Sequence, residues 1–282
     1  MRRLFVFLGI VLVSCGPAGP EADAGWSPGD AGAMTDAGQP ADAGPDVGVD
    51  AGDAGQDAGV DADAGVDAGV DAGSADAGPS VPLAGFGALS GDCGPLALPD
   101  LQAATPSTFE TRIDFAMLAF DAGLLSDGGY RMYTTPNAGG SSVASEVFAY
   151  EVLHRCELAE LAATETEVTY TPTSSKKTDL VVRLEGELIG VSVARAFKYP
   201  PGAPLTVADA TTLLQGKFSD ILVSSQNIDP PWRWRKQILH VLAYDDVAKQ
   251  AVLDAATSID AGVRADTILY ITVTDGDDAF IY

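Results

Sequence analysis

Residues 81–282 of this sequence predict an α/β sandwich built on a mixed β-sheet. The stretch has about 200 residues, enough to bury one sizeable core. Its apolar periodicity gives the order helix, three strands, helix, strand, helix, strand, and a turn at Glu185-Gly186-Glu187 joins two of the strands as a hairpin. A meander followed by alternating helices and strands indicates a sheet that is first antiparallel and then crosses over.

Residues 81–142 are predicted to form an N-terminal extension of this domain. Residues 81–107 are a lead-in rich in Gly and Pro. Strands are expected at Phe109–Phe120 and Tyr130–Tyr133, because Asp127-Gly128-Gly129 between them is a strong hairpin-type turn signal. The extension therefore contributes a β-hairpin.

The predicted core, residues 143–282, begins with a helix at Ser145, after which apolar residues recur at three- and four-residue steps. The remaining predicted elements are, in order, strands at Glu165–Tyr170, Asp179–Leu184 and Leu188–Val193, a helix at Val207–Gln215, a strand at Ile221–Ser224, a helix at Trp234–Ala256 and a strand at Ile268–Val273. This order is the basis of the predicted fold class.

The first 15 residues predict secretion and lipid attachment. A basic start, Met1-Arg2-Arg3, precedes the apolar run Leu4–Val13, which is too short to span a bilayer. The string Leu12-Val13-Ser14-Cys15 resembles a bacterial lipobox, in which the cysteine is diacylated and becomes the mature N-terminus. The resemblance implies a signal peptide at 1–14 and a lipid on Cys15 that anchors the chain to a membrane of the bacterial cell envelope, with the outer membrane expected. The alternative is an ordinary signal peptide with a chance cysteine.

Residues 15–80 are predicted to be a disordered, acidic stalk. Asp-Ala-Gly recurs there at irregular intervals, and the tract contains 13 Asp, one Glu and no Lys or Arg. So little apolar surface cannot offset the entropy of ordering the backbone. A stalk that holds the domain away from the membrane is the favoured interpretation, and specific cation binding is the alternative.

Charge and cysteine content restrict the partners of the domain. The whole chain has 40 acidic and 16 basic residues; 14 and 2 of these precede residue 81, so the domain has 26 and 14 and a net charge of −12. Such a field is unfavourable for a polyanion unless a local basic patch offsets it. With Cys15 lipidated, we expect Cys93 and Cys156 to form a disulfide, and two free thiols are the alternative.

Two further strings carry a resemblance to a known family. Ser175-Lys176-Lys177-Thr178-Asp179 precedes the second predicted core strand, and Gly190-Val191-Ser192-Val193-Ala194-Arg195-Ala196 follows the hairpin. With the helix, three strands, helix, strand order, they resemble the PD-(D/E)xK nuclease-like superfamily, which has the restriction-endonuclease fold. The resemblance covers roughly residues 143–230. It implies that Glu146 and Asp179 bind Mg²⁺ or Mn²⁺ for phosphodiester hydrolysis.

The third core strand departs from the family pattern, which places an acid and a lysine there. Arg195 on that strand could stabilise phosphate charge but cannot act as a base, and Lys217 could be a relocated lysine. We therefore expect a degenerate, non-catalytic binding module for an unknown protein or polyanionic ligand. The alternative is a metal-dependent phosphodiesterase that uses Glu146 and Asp179. A metal site would favour the enzyme, and a closed Asp179–Arg195 ion pair would favour the scaffold.

A second candidate binding segment lies at the start of the last predicted helix. Trp232, Arg233, Trp234 and Arg235 alternate there, and such interleaving suits stacking and phosphate pairing with a nucleic acid or glycan. The alternative is that the tryptophans are packed and the arginines solvated. The sequence has two histidines, which makes a histidine metal cluster a poor expectation.

Overall fold

The computed structural model describes residues 81–82, 85–94, 96–116, 120–137 and 142–282. The strands are β1 (Val81–Pro82), β2 (Ala88–Gly91), β3 (Thr108–Asp114), β4 (Glu160–Thr164), β5 (Leu180–Leu184), β6 (Glu187–Ala196), β7 (Lys236–Ala243) and β8 (Ile268–Asp275). The helices are α1 (Leu98–Gln102), α2 (Asp127–Thr134), α3 (Val143–Glu157), α4 (Val207–Asn227), α5 (Asp246–Ser258) and α6 (Ala261–Arg264). The predicted signal peptide, the lipidated Cys15 and the stalk lie outside the described residues.

All of these strands belong to one mixed sheet, in the order β1-β2-β3-β8-β7-β6-β5-β4. The four central strands β3, β8, β7 and β6 are parallel, and the pairs at both edges are antiparallel. The predicted mixed sheet with an initial meander is therefore confirmed. The N-terminal extension joins the same sheet, because β3 pairs along its whole length with β8.

Helices cover both faces of the sheet and make a three-layer sandwich. On one face α3 packs its apolar side against β5, β6 and the central strands, with Val147, Phe148 and Leu153 fully buried. On the other face α4 and α5 bury Leu214, Phe218 and many small residues against the opposite side of β6, β7 and β8. Burial on both faces supplies the main stabilisation of the central strands.

The strand β7 corrects the predicted helix at Trp234–Ala256. All eight residues of β7 are buried, because the strand lies in the middle of the sheet with helices on both sides. A strand buried on both faces shows no polar alternation, so its apolar run cannot be told from a helix by period alone. The helical part begins only at α5, where Asp245 caps it by accepting a 2.7 Å hydrogen bond from the Ala248 N–H.

The helix α4 corrects the predicted strand at Ile221–Ser224. The helix was expected to end at Gln215, but it continues to Asn227 through Gly216. A glycine inside a helix costs about 1 kcal/mol relative to alanine. Burial of Leu214, Phe218 and Ile221 along one face offsets that cost. The fourth strand of the predicted order is therefore β7, so the order is confirmed although the residues assigned to it were wrong.

The helix α2 replaces the predicted hairpin in the extension. Tyr130–Tyr133 are helical, and the expected strand Phe109–Phe120 ends as β3 at Asp114. Ser126 caps α2 by accepting a 3.1 Å hydrogen bond from the Gly129 N–H, so Asp127-Gly128-Gly129 is a first helical turn. These glycines allow close packing on α3, since a Cβ on Gly128 would lie 2.2 Å from the Tyr150 hydroxyl oxygen.

The remaining predictions in the core differ mainly in their boundaries. The hairpin of β5 and β6 and the final strand β8 are confirmed, and positive φ values at Glu185 and Gly186 form the hairpin turn. The first core strand lies at Glu160–Thr164, earlier than the predicted Glu165–Tyr170. Leu158 adopts a left-handed conformation that ends α3, so its apolar side chain does not extend the helix.

The predicted disulfide is confirmed, and it ties the extension to the end of α3. Cys93 is bonded to Cys156. The neighbouring Glu157 reinforces this junction, because its carboxylate accepts hydrogen bonds from the Leu96 N–H at 2.6 Å and from the Tyr270 hydroxyl at 2.7 Å. None of the helices within the described residues is long and apolar enough to cross a membrane.

Candidate functional site

One cavity collects all four residues that the sequence analysis selected as catalytic. Glu146, Asp179, Arg195 and Lys217 line a space of about 300 Å³, together with Ser142, Ser145, Val193, Ala194 and Leu213. It lies where the end of β6 meets the start of the antiparallel β5, with α3 reaching over it from one face of the sheet and α4 from the other. We call this space the carboxylate cavity.

Glu146 lies in the first turn of α3 and is 7% exposed. Burial, together with the negative charges of Asp179 and Glu165, raises the pKa of its carboxyl to about 7. A hydrogen bond from Ser142 and the positive charge of Lys217 act in the opposite direction. A carboxyl with a pKa near neutrality, facing a cavity, is typical of groups that exchange protons or bind cations.

Asp179 is the residue immediately before β5, and it is half-buried. Its backbone N–H donates to the Val191 carbonyl at 3.1 Å, and its Oδ2 accepts a 2.6 Å hydrogen bond from the Val193 N–H. Burial raises the pKa of Asp179, whereas the charge of Lys217 and the Val193 hydrogen bond lower it. The raised pKa values of both acids indicate that the cavity would be stabilised by additional positive charge.

The two cations of the site come from the sheet and from one helical layer. Arg195 lies near the end of β6, and its Nη1 donates a 3.1 Å hydrogen bond to the Ile281 carbonyl. Lys217 lies one turn after Leu213 on α4. Within the described residues no ion pair joins Asp179 to Arg195. The closed pair that would have indicated a purely structural role is therefore not formed.

The carboxylates that line the cavity are those of Glu146 and Asp179, and carboxylate oxygens are the kind of ligand that hard divalent cations take. In the described part of the chain no group of three or more His, Cys, Asp or Glu side chains is arranged to hold a metal ion. At the third core strand the cavity is lined by Val193 and Ala194, where the PD-(D/E)xK pattern has an acid. Glu146 and Asp179 remain, and Mg²⁺ is commonly bound by one or two carboxylates with water and phosphate oxygens.

The Trp-Arg segment does not contribute to this cavity. It forms a 3₁₀ turn (Pro230–Trp232) and the entry to β7, which corrects the prediction that it starts a helix. Trp232 and Trp234 are half-buried against the cluster around Tyr170, and Trp234 Nε1 donates a 3.1 Å hydrogen bond to the Ser225 hydroxyl. Arg233 and Arg235 are exposed.

The position of this segment separates it from the carboxylate cavity. The Arg235 N–H donates to the Leu188 carbonyl at the start of β6, whereas Arg195 lies at the other end of that strand. Seven residues of extended strand span about 23 Å. The packed tryptophans and solvated arginines agree with the alternative given for this segment.

A second cavity, which the sequence analysis missed, adjoins the first. It has a volume of about 530 Å³ and shares Arg195 with the carboxylate cavity; its other lining residues include Phe197, Tyr199, Tyr244, Asp278 and Tyr282. We call it the aromatic cavity. The aromatic residues that directly follow β6 and β7 were the available signal, since ligands of α/β sheets bind beyond the carboxyl ends of parallel strands.

Comparison with known proteins leaves the family undetermined. No family model matches the sequence, and no solved structure matches it. The "AAC-rich mRNA clone AAC4 protein" of Dictyostelium discoideum is 37% identical over 154 residues, which cover 52% of this chain and 22% of that protein. The chain therefore spans about a fifth of the length of this relative, whose name describes a transcript and states no activity.

Proposed function

We propose that the domain is a nuclease-like phosphodiester hydrolase that depends on Mg²⁺ or Mn²⁺. The observation that carries the proposal is the convergence of Glu146, Asp179, Arg195 and Lys217 in one cavity. These residues come from four different elements, separated by up to 71 positions in the sequence. Two carboxylates beside two cations are the groups that metal-assisted phosphoryl chemistry requires.

The topology supports a relationship to the restriction-endonuclease fold. The strands β4, β5 and β6 form an antiparallel meander after α3, and β7 returns parallel to β6 after α4. This reproduces the order helix, three strands, helix, strand of that fold, with Asp179 at the start of the second strand. The proposed family relationship rests on this arrangement and on the cavity residues.

Each residue of the cavity has a defined part in the proposed reaction. Glu146 and Asp179 would hold the cation through their carboxylate oxygens. The bound cation would supply positive charge that polarises the phosphoryl group and acidifies water. Arg195 and Lys217 would donate hydrogen bonds to phosphate oxygens, and Arg195 is oriented for this by its bond to the Ile281 carbonyl.

A non-catalytic binding module is the second candidate function. It is favoured by the absence of an acid among the residues that β6 contributes to the cavity, and by the structural bond of Asp179 to the Val193 N–H. In this case the same cavity would bind a phosphoryl group, or an acidic group of a protein, without cleaving it. Both candidate functions use the same ligand site, but only the hydrolase would cleave the ligand.

The proposed setting of the domain is the bacterial cell envelope. The lipobox-like string that ends at Cys15 supports lipid anchoring, and the acidic repeats of residues 15–80 support a spacer between the lipid and the domain. One diacylated cysteine attaches more firmly than a single acyl chain. The domain would then meet its substrate or partner in the aqueous compartment beside the membrane leaflet that holds the lipid.

Hydrolysis of a chromogenic phosphodiester tests the catalytic proposal. With the full chain, bis(p-nitrophenyl) phosphate and Mn²⁺, we expect turnover that a chelator abolishes. Asp179→Asn and Glu146→Gln should each lower the rate by about a hundredfold or more, as losses of single groups that stabilise the transition state do. Asp254→Asn, at an exposed carboxylate on α5, is the matched control and should leave the rate unchanged.

The outcome separates the two candidate functions. Turnover that survives Asp179→Asn would show that the activity arises elsewhere, and the catalytic proposal would be wrong. The same conclusion follows if the wild-type chain shows no turnover, in which case the binding module remains.

A further inference from the structure

The carboxylate cavity and the aromatic cavity are neighbours that share Arg195 as a lining residue. The side chain of Arg195 lines both spaces, of about 300 Å³ and 530 Å³. Both lie within the range of sizes that small-molecule sites have. The carboxylate cavity is lined by the last residues of β6, and the aromatic cavity by residues that follow β6 and β7, which end at Ala196 and Ala243. One ligand could therefore occupy both spaces while it contacts a single guanidinium.

The wall of the aromatic cavity is a preformed group of rings. Phe197, Tyr244 and Tyr282 contact one another, with centroid separations of 5.0 to 5.4 Å. Tyr282 is fixed by a 2.8 Å hydrogen bond between its hydroxyl and the Thr274 hydroxyl. Tyr199 also lines the cavity and is 83% exposed. Aromatic side chains that line a cavity are surfaces on which planar rings of ligands stack.

Asp278 adds one polar group to this wall. Its carboxylate accepts a 2.5 Å hydrogen bond from the Thr274 hydroxyl, which holds it in place. A carboxylate would repel a phosphate but would accept a hydrogen bond from an exocyclic amino group of a base. The aromatic cavity therefore suits the ring end of a ligand. The neighbouring cavity suits its phosphate end when a cation offsets the carboxylates of Glu146 and Asp179 beside Arg195 and Lys217.

The charge of the domain restricts the size of such a ligand. Residues 81–282 carry 26 acidic and 14 basic side chains, and the exposed arginines of the Trp-Arg segment lie at the far end of β6. A long polyanion would face repulsion outside the two cavities. A ligand with one or two phosphates would place its charge against Arg195, Lys217 and a cation held by Glu146 and Asp179.

We propose that the paired cavities bind a small nucleotide, with its base stacked on Tyr199 and Tyr244 and its phosphate against Arg195. This inference rests on the proposed function, because it assigns the substrate class of the same site, but binding and cleavage can be measured separately.

Calorimetric binding of three probes to the full chain in the presence of Mg²⁺ tests the inference. The probes are adenosine 5′-monophosphate, which has an amino group on its base, inorganic phosphate and adenosine. We expect adenosine 5′-monophosphate to bind more tightly than either fragment. Tyr199→Ala and Tyr244→Leu should each weaken its binding about fivefold or more while leaving phosphate affinity unchanged. Tyr130→Ala, at a tyrosine on α2 that is 51% exposed, is the matched control.

The possible results distinguish this inference from the proposed function. The inference is wrong if adenosine 5′-monophosphate binds no more tightly than phosphate, or if neither tyrosine variant weakens it. It is also wrong if a short DNA duplex binds equally well. Tyrosine-dependent nucleotide binding without turnover of the chromogenic phosphodiester would support the nucleotide site and reject hydrolysis. Turnover without nucleotide binding would support hydrolysis and reject the nucleotide site.

Discussion

At the scale of single residues, Glu146 links stability to pH. Because its pKa in the folded state is raised to about 7 from an ordinary value of 4.5, the folded protein holds this proton more tightly than the unfolded chain. Its contribution is therefore complete below pH 4.5 and is lost as pH rises through 7. In buffer that contains a chelator, Glu146 should make the free energy of unfolding fall by up to about 3 kcal/mol as the pH rises from 4.5 through 7.

Urea unfolding of wild type and Glu146→Gln at several pH values measures this contribution. Glutamine keeps the shape and removes the titration, so the two proteins should be about equally stable near pH 5, and the variant more stable near pH 8. Glu157, whose pKa burial also raises to about 7, is present in both proteins and cancels. Parallel pH profiles of the two proteins would show that Glu146 does not titrate in this window.

The residues of the carboxylate cavity could be predicted from the sequence where a motif gave the position of a side chain. The acids Glu146 and Asp179 and the cation Arg195 were selected in this way, and they line one cavity. Lys236 directly follows the Trp-Arg segment, but unlike Arg233 and Arg235 it is buried, with 2% exposure. Its Nζ donates to the carbonyls of Asp100, Ala103 and Thr105 at 2.9 to 3.1 Å. Such long-range partners cannot be seen in a local pattern.

At the scale of elements, the disulfide fastens the N-terminal extension to α3. Cys93 and Cys156 are separated by 63 positions, and closing a loop of that length restricts the unfolded chain. The loop-entropy relation gives a stabilisation of roughly 4 kcal/mol. Cys93→Ser/Cys156→Ser should lower the free energy of urea unfolding by about that amount, with the wild-type protein under a reductant giving a similar value.

The native contacts around Glu157 provide the control for this prediction. The double variant should keep the far-ultraviolet circular dichroism of the folded protein, because Glu157 still binds Leu96 and Tyr270. Unchanged unfolding free energy in the variant and under reductant would mean that the extension is held by packing alone.

Elements could be predicted where they carry local signals. The β5–β6 hairpin was predicted because its turn contains Gly186, and α3 because its apolar residues are periodic. The strand β7 was mistaken for a helix because neighbours on both faces remove its alternation. The helix α4 was cut short at Gly216, since a glycine ends many helices, but tertiary packing of Phe218 and Ile221 carries it onward.

At the scale of the whole molecule, the sheet topology assembles the two cavities. The strands β6 and β7 are parallel neighbours, so Arg195, Phe197 and Tyr244 all emerge at the same edge. The aromatic cavity was missed because that pairing depends on β7, which was predicted to be part of a helix. The carboxylate cavity needs only α3, the β5–β6 hairpin and α4, and all three were predicted at least in part.

The most direct test of the central claim is a calorimetric titration of the full chain with Mn²⁺, beside Asp179→Asn and Glu146→Gln. The acidic repeats of residues 15–80 are present in all three proteins, so any ion that they bind is a common background. We predict a saturable binding component in the wild type that either substitution removes. Identical titrations of the three folded proteins would contradict the claim that Glu146 and Asp179 form a cation-dependent site.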